Sequence, residues 1–201
     1  MRITGGTVRG LTITAPPGFN TRPMTDMAKQ GIFNILREEV VDASVLDLFA
    51  GSGALGLEAL SRGAGHCCFV ENSREALRCL KANLDKAGFA EQCEVLCRDA
   101  YALLLDWPDW RFDLCFFDPP YVQFDNPVTR RRCVDFLDKL ATMAGAPDAV
   151  VVLHYRRGCM AGMPIPPIFV SQDVRCYGES EIMLLRIRSE QSDATAKEGD
   201  L

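Results

Sequence analysis

Val45-Leu46-Asp47-Leu48-Phe49-Ala50-Gly51-Ser52-Gly53-Ala54-Leu55-Gly56 is the stretch that decides the fold. Its first five residues form an apolar run broken by one acid, Asp47. A short run rich in branched and aromatic residues suits a central parallel strand covered on both faces. The run breaks at Gly51-Ser52-Gly53, and a helical pattern resumes with Leu55, Leu57, Ala59 and Leu60. Strand, glycine turn and helix make the first half of a nucleotide-binding α/β unit, in which glycines admit a ligand close to the backbone and helix-terminal N–H groups face it. The spacing of Gly51, Gly53 and Gly56 also satisfies the dinucleotide fingerprint, so spacing alone does not exclude that ligand. Asp47 argues against it. A pyrophosphate gains nothing from a carboxylate there, whereas a ligand carrying an ammonium or sulfonium does. The plain alternative is a structural strand-to-helix turn with a capping serine.

Outward from this turn, strands and helices alternate. Residues 1–25 are punctuated by glycine and proline, with a strand-like pair around Val8 to Ile13. Thr25 or Asp26 caps a helix whose apolar face is Ile32, Phe33, Ile35, Leu36 and Val40. After the glycine strand come a helix over 54–62, a strand over His66–Glu71 and an amphipathic helix over 73–87. A strand over 93–96 leads to Arg98-Asp99-Ala100 and a short helix through Leu105. A strand over Phe112–Phe117 then runs into Asp118-Pro119-Pro120-Tyr121. A helix over 129–143, a strand over 149–154 and a hairpin over 168–187 complete the body. This alternation predicts an α/β, Rossmann-like, mostly parallel sheet with a C-terminal antiparallel hairpin. Ligands in such sheets sit beyond the carboxyl ends of the strands.

Composition bounds the rest. With 201 residues, 48% hydrophobic and 24% charged, the chain is large enough for one well-packed domain. No apolar run reaches the length of a membrane span and no signal-peptide core opens the chain, so a cytoplasmic protein without membrane association is expected. Nine cysteines without a C-x-x-C read as small buried residues in a reducing compartment, so no metal is expected. The net charge of −5 is concentrated in the tail from Ser189, which holds four acids and one base. Residues 1–25 instead carry Arg2, Arg9 and Arg22, which fit polyanion contact as readily as a solvated surface.

The strand ends carry the chemistry. Glu71, 20 residues after Gly51, can accept from both ribose hydroxyls of an adenosine. Asp99 can accept from an adenine amino group, although an aspartate before a helix is also a routine cap. In Asp118-Pro119-Pro120-Tyr121 the prolines remove two N–H donors and stiffen the backbone, leaving carbonyls that only accept. With the Asp118 carboxylate they form a rigid acceptor cluster matched to a planar NH₂ group, and Tyr121 adds a face for base stacking. His66 and His154 read as strand residues.

The glycine stretch with Asp118-Pro-Pro-Tyr121 resembles the S-adenosylmethionine-dependent amino methyltransferases of class I. More narrowly, the chain is similar to the RsmD-type family, which methylates a guanine of small-subunit (16S) ribosomal RNA at N2. Further matches are Arg2-Ile-x-Gly-Gly-x-x-Arg9-Gly10, Arg22-Pro23-x-Thr25-Asp26, Ile32-Phe33-Asn34 and Tyr177-Gly178. The resemblance implies S-adenosylmethionine held by Asp47, Phe49, Ala50, Gly51, Gly53, Glu71, Asp99, Ala100 and Asp118. It implies a target guanine at Asp118, Pro119, Pro120 and Tyr121, and ribosomal RNA or a small-subunit assembly particle against Arg2, Arg9 and Arg22. The organisation expected is an N-terminal arm or small hairpin over 1–25, a methyltransferase domain over 26–188 and a disordered acidic tail over 189–201, in a monomer. The chain departs from the family at Met27-Ala28-Lys29-Gln30, where Arg-Val-Arg-Glu is usual, and at Arg98, often asparagine. Lysine does not reproduce the bidentate guanidinium fork. Two other readings fit the same residues: an adenine-N6 methyltransferase of DNA or RNA, and a non-catalytic RNA-binding or assembly protein that retains the fold.

Overall fold

The computed structural model describes residues 1–16, 24–106 and 110–189. Arg22 and the tail from Glu190 onward lie outside the described residues. Seven strands form one sheet in the order β3-β2-β1-β4-β5-β7-β6. They are β1 (Ser44–Leu48), β2 (His66–Glu71), β3 (Cys93–Cys97), β4 (Phe112–Phe117), β5 (Gly145–Arg156), β6 (Phe169–Tyr177) and β7 (Ser180–Ile187). The first five pair in parallel, and β7 joins β5 and β6 antiparallel. Strand order reverses between β1 and β4, which opens a crevice at their carboxyl ends.

Alternation along each strand builds two cores. Val45, Cys67, Phe69, Leu114, Phe116 and Val152 face one layer, containing α1 (Asp26–Leu36), α2 (Ala54–Ser61) and α3 (Arg74–Ala87). Leu46, Cys68, Val70, Cys115, Phe117 and Val151 face the other, against α5 (Pro127–Ala144). Helix starts follow their caps: Thr25 accepts from the Ala28 amide, Ser73 from Ala76 and Asn126 from Val128. Burial pushes the thiols of Cys67 and Cys115 well up from their ordinary value, which keeps them protonated and unreactive. No helix among the described residues is long and apolar enough to cross a membrane.

Four features differ from the sequence expectation. The strand-like pairing near the N-terminus is between Arg2 and Thr12, with Val8 to Gly10 in the intervening turn. A short helix, α4 (Val122–Asp125), follows Tyr121 directly, and β5 extends past both expected ends. The N-terminal hairpin is also anchored in the main core, where Ile3 and Ile13 are buried beside α1 and α2.

Its turn presses on the end of α2, and the Thr7 amide donates to the Ser61 carbonyl at 2.7 Å. A Cβ on Gly6 (φ +77°) would stand 1.7 Å from that same carbonyl oxygen, so only glycine fits. Beneath the hairpin, Glu58 has no accessible surface. It accepts from the Thr4 amide and hydroxyl, both at 2.7 Å, and pairs with Arg62 at 2.8 Å and Lys29 at 3.2 Å. Lys29 also donates to the Arg2 carbonyl. The lysine in the departing run 27–30 thus locks the hairpin onto α2.

Candidate active site

A cavity of about 450 Å³ lies beyond the carboxyl ends of β1 and β4. Asp47, Phe49, Ala50, Gly51, Glu71, Asp99, Asp118, Pro119, Pro120 and Tyr121 all line it. Gly53 and Ala100 are not in the lining; Ala100 is buried behind Asp99. The size suits a nucleoside-sized ligand.

The glycine turn forms one wall. Asp47 is 2% exposed, and its Oδ2 accepts from the Gly56 amide at 2.9 Å, inside the first turn of α2. Burial pushes the Asp47 carboxyl up to about 8 against the pull of that amide, and the Asp118 and Glu71 charges add to the rise. Gly56 serves packing rather than the ligand: a Cβ there would stand 2.3 Å from the Phe69 ring, so the missing side chain lets α2 lie against β2. Phe49 takes φ +61°, a conformation costly for an aromatic residue, and meets Tyr101 and Phe117 edge-on.

Glu71 ends β2 with both oxygens engaged. Oε2 accepts from the Gly51 amide at 2.8 Å, and Oε1 from the Asn72 and Ser73 amides at 2.9 and 2.8 Å. It therefore pins the glycine turn to the start of α3 while presenting a carboxylate edge to the cavity. Asp99 is exposed, and its Oδ1 accepts from the Tyr101 amide at 2.9 Å. Tyr101 lies under the Arg132 guanidinium, 4.2 Å from ring centre, and its hydroxyl meets Gln123 and Cys133.

Asp118-Pro119-Pro120-Tyr121 forms the opposite wall. The Pro120 carbonyl is taken by the Gln123 amide at 2.9 Å, starting α4. That leaves the Asp118 carboxylate and the Pro119 carbonyl as acceptors. Asp118 Oδ1 lies 2.8 Å from Nδ1 of His154 on β5, a residue 3% exposed. The Tyr121 hydroxyl reaches His154 Nε2 at 3.0 Å and the Ser180 hydroxyl at 2.8 Å. Arg156 stands 5.6 Å over the Tyr121 ring and pairs with Asp125.

Tyr101, Gln123, Arg132 and His154 are cavity residues that the sequence reading does not place at the site, and Lys29, noted there only as a departure from the family, lines it too. The run Arg130-Arg131-Arg132 signals the cationic member, and nothing local signals His154. Of the arginines proposed for a polyanion, Arg2 pairs with Asp26 at 2.8 Å, beside the hairpin strand whose Met1 lines the cavity. Arg9 is exposed in the hairpin turn at the far end of α2, about 12 Å of helix from the glycine turn. Among the described residues no group of His, Cys, Asp or Glu could hold a metal ion.

This strand order, with a glycine turn and an acceptor cluster facing each other across the switch point, defines the class I methyltransferase fold. The profile of the family described as "Conserved hypothetical protein 95" matches residues 1–186, and the chain belongs to that family, the RsmD-type group its motifs resemble. It is 41% identical over 123 residues to "Ribosomal RNA small subunit methyltransferase D" of Escherichia coli, a match covering 60% of each chain. It is 40% identical over 123 residues to "Putative rRNA methyltransferase YlbH" of Bacillus subtilis, covering 60% of this chain and 67% of that protein. These matches span roughly three-fifths to two-thirds of the relatives' length. The solved structure of "Putative methyltransferase yhhF" from Escherichia coli superposes with a TM-score of 0.80 at 29% identity, covering 94% of this chain and 99% of that one.

Proposed function

We propose that the protein is an S-adenosylmethionine-dependent methyltransferase acting on guanine N2 of small-subunit ribosomal RNA, in the cytoplasm. The observation that carries this reading is one cavity holding both a nucleoside-type wall (Gly51, Glu71, Asp99) and the acceptor cluster Asp118-Pro119-Pro120-Tyr121. The set of acceptors fits the cofactor. Glu71 offers carboxylate to a ribose, Asp99 accepts from an adenine amine, and Asp47 lies beneath the turn where an ammonium would sit. Tyr101, backed by Arg132, supplies a flat wall for the base.

When bound, S-adenosylmethionine supplies a sulfonium methyl, whose carbon leaves with the bond electrons going to sulfur while the amine lone pair takes the carbon. The chain's own part is placement. Asp118 and the Pro119 carbonyl each grip one hydrogen of the target NH₂, which draws the nitrogen toward a tetrahedral shape and aims its lone pair across the cavity. Asp118 is also the base placed to take the proton that the methylated amine sheds. Tyr121 offers its ring to a base drawn out of the RNA stack. Ribosomal RNA is the substrate, alone or in an assembling subunit, and the reading takes the protein as a monomer.

The reading is tested by calorimetry with S-adenosylmethionine and by methyl transfer to unmethylated small-subunit RNA, against DNA and transfer RNA. Binding without transfer to any of them would leave a non-catalytic RNA-binding protein.

A pH dependence follows from Asp47. Its carboxyl, protonated below about 8 in the free protein, must ionise to pair with the cofactor's ammonium. Binding near pH 7 therefore releases a proton, and affinity rises with pH from about 6 toward 7.5, by up to roughly tenfold per unit. Calorimetry in buffers of different ionisation enthalpy counts that proton. Asp47→Asn keeps the Gly56 hydrogen bond and is expected to abolish the release; an unchanged proton count in this variant would remove Asp47 from the ammonium site.

A further inference from the structure

We propose that His154 is a positioning residue for the amine-binding carboxylate, the last member of a one-way hydrogen-bond chain running Ser180, Tyr121, His154, Asp118. This rests on the methyltransferase reading only in naming the amine as what Asp118 binds. A carboxylate accepts and does not donate, so the hydrogen of the 2.8 Å contact belongs to His154 Nδ1. In the neutral ring Nε2 is then an acceptor, and the Tyr121 hydroxyl donates to it at 3.0 Å. The Tyr121 oxygen in turn accepts from the Ser180 hydroxyl at 2.8 Å. Each donor is fixed by the next acceptor, and all dipoles point toward Asp118.

The chain does two things. It occupies Asp118 Oδ1, so that Oδ2, which takes no hydrogen bond among the described residues, is the oxygen presented to the amine. It also couples the acceptor wall to the stacking wall, because one imidazole holds both Asp118 and Tyr121. Three strands set the geometry. Asp118 leaves β4, His154 lies on β5, and Ser180 opens β7 opposite Arg156, two residues beyond His154. At 3% exposure the ring is held by its surroundings and not by solvent.

The test compares His154→Ala, His154→Asn and His154→Gln in single-turnover methyl transfer at saturating cofactor and RNA. An Asn amide nitrogen can stand where Nδ1 stands and donate to Asp118, whereas a Gln amide reaches only the place of Nε2. His154→Ala is expected to slow transfer roughly ten- to a hundredfold, the range for losing a partner that orients a functional group. RNA and cofactor affinities should stay within about twofold, since both ring nitrogens are engaged within the protein. His154→Asn is expected to recover most of the rate and His154→Gln little of it. A full rate in His154→Ala, or better rescue by Gln than by Asn, overturns the proposal and leaves the methyltransferase reading standing.

A readout independent of activity covers the other case. In nitrogen-15-labelled protein, whose two histidines are assigned with His154→Asn, His154 is expected to carry its hydrogen on Nδ1, with a shift in Asp118→Ala. If the wild type methylates no RNA, that reading fails, and this spectrum still decides the positioning role. An Nε2–H tautomer with bare Nδ1 would falsify it.

Discussion

Asp118→Ala is expected to slow methyl transfer by at least roughly a hundredfold, the loss seen when a preorganised contact to the reacting group is removed. In the proposed reading Asp118 acts on the amine, although the resemblance also counts it among the cofactor residues, so cofactor affinity should hardly change. RNA affinity should hold as well, because phosphate contacts dominate it. The effect should exceed that of His154→Ala, since the substitution removes both the acceptor and the object His154 positions. Single-turnover transfer at saturating cofactor and RNA measures the step directly. A fully active variant would reduce Asp118-Pro-Pro-Tyr121 to strand-end architecture and move the chemistry elsewhere.

The second large effect falls on stability. Glu58→Ala is expected to lower unfolding free energy by about 3–5 kcal/mol, because it leaves the Lys29 ammonium buried without its partner. Lys29 and Glu58 are 3% and 0% exposed at the side chain, so water does not replace the lost charge. The Thr4 amide and hydroxyl lose their acceptor in the same step, freeing the N-terminal hairpin. Acid should act the same way. Burial by itself would raise the Glu58 carboxyl, but the Thr4 bonds, Arg62 and Lys29 outweigh it and hold it below the ordinary value of 4.5. The folded value is thus the depressed one. Its contribution is fully present above about pH 4.5 and lost as pH falls through the lower folded value. Denaturant unfolding at pH 7 and pH 3 measures both, and a loss below about 1 kcal/mol at pH 7 would contradict the buried-pair account.

The same network limits what truncation can show. Removing the hairpin to delete its arginines would also remove Ile3 and Ile13 from the core and uncap Glu58. Charge reversal at Arg9, exposed in the turn, tests RNA contact without that damage.

The legible part of the fold was local. Val45 to Leu48 announces a covered strand because its residues meet two cores alternately, and Thr25 announces a helix start because its oxygen meets an orphan amide. Strand ends were legible too, since a parallel sheet sends Asp47, Glu71, Asp99 and Asp118 to one side whatever the pairing details. Side chains whose meaning comes from another strand were not. His154 sits in an apolar alternation, and its partners lie 36 and 33 residues away, chosen by the β4–β5 register. Glu58 follows three apolar or small residues in a helix and looks solvated until the hairpin, 54 positions away, covers it. The sequence also shows Pro120 only as a free acceptor, whereas α4 takes up its carbonyl.

The central claim is that Asp118 and the Pro119 carbonyl hold an exocyclic amine of guanine for methylation. Nucleoside mass spectrometry tests it most directly, on small-subunit ribosomal RNA from cells lacking this protein, before and after incubation with the purified enzyme and S-adenosylmethionine. The account predicts one new N2-methylguanosine per RNA, formed by the wild type and nearly absent with Asp118→Ala. N6-methyladenosine as the product, or N2-methylguanosine formed equally well by Asp118→Ala, would contradict it.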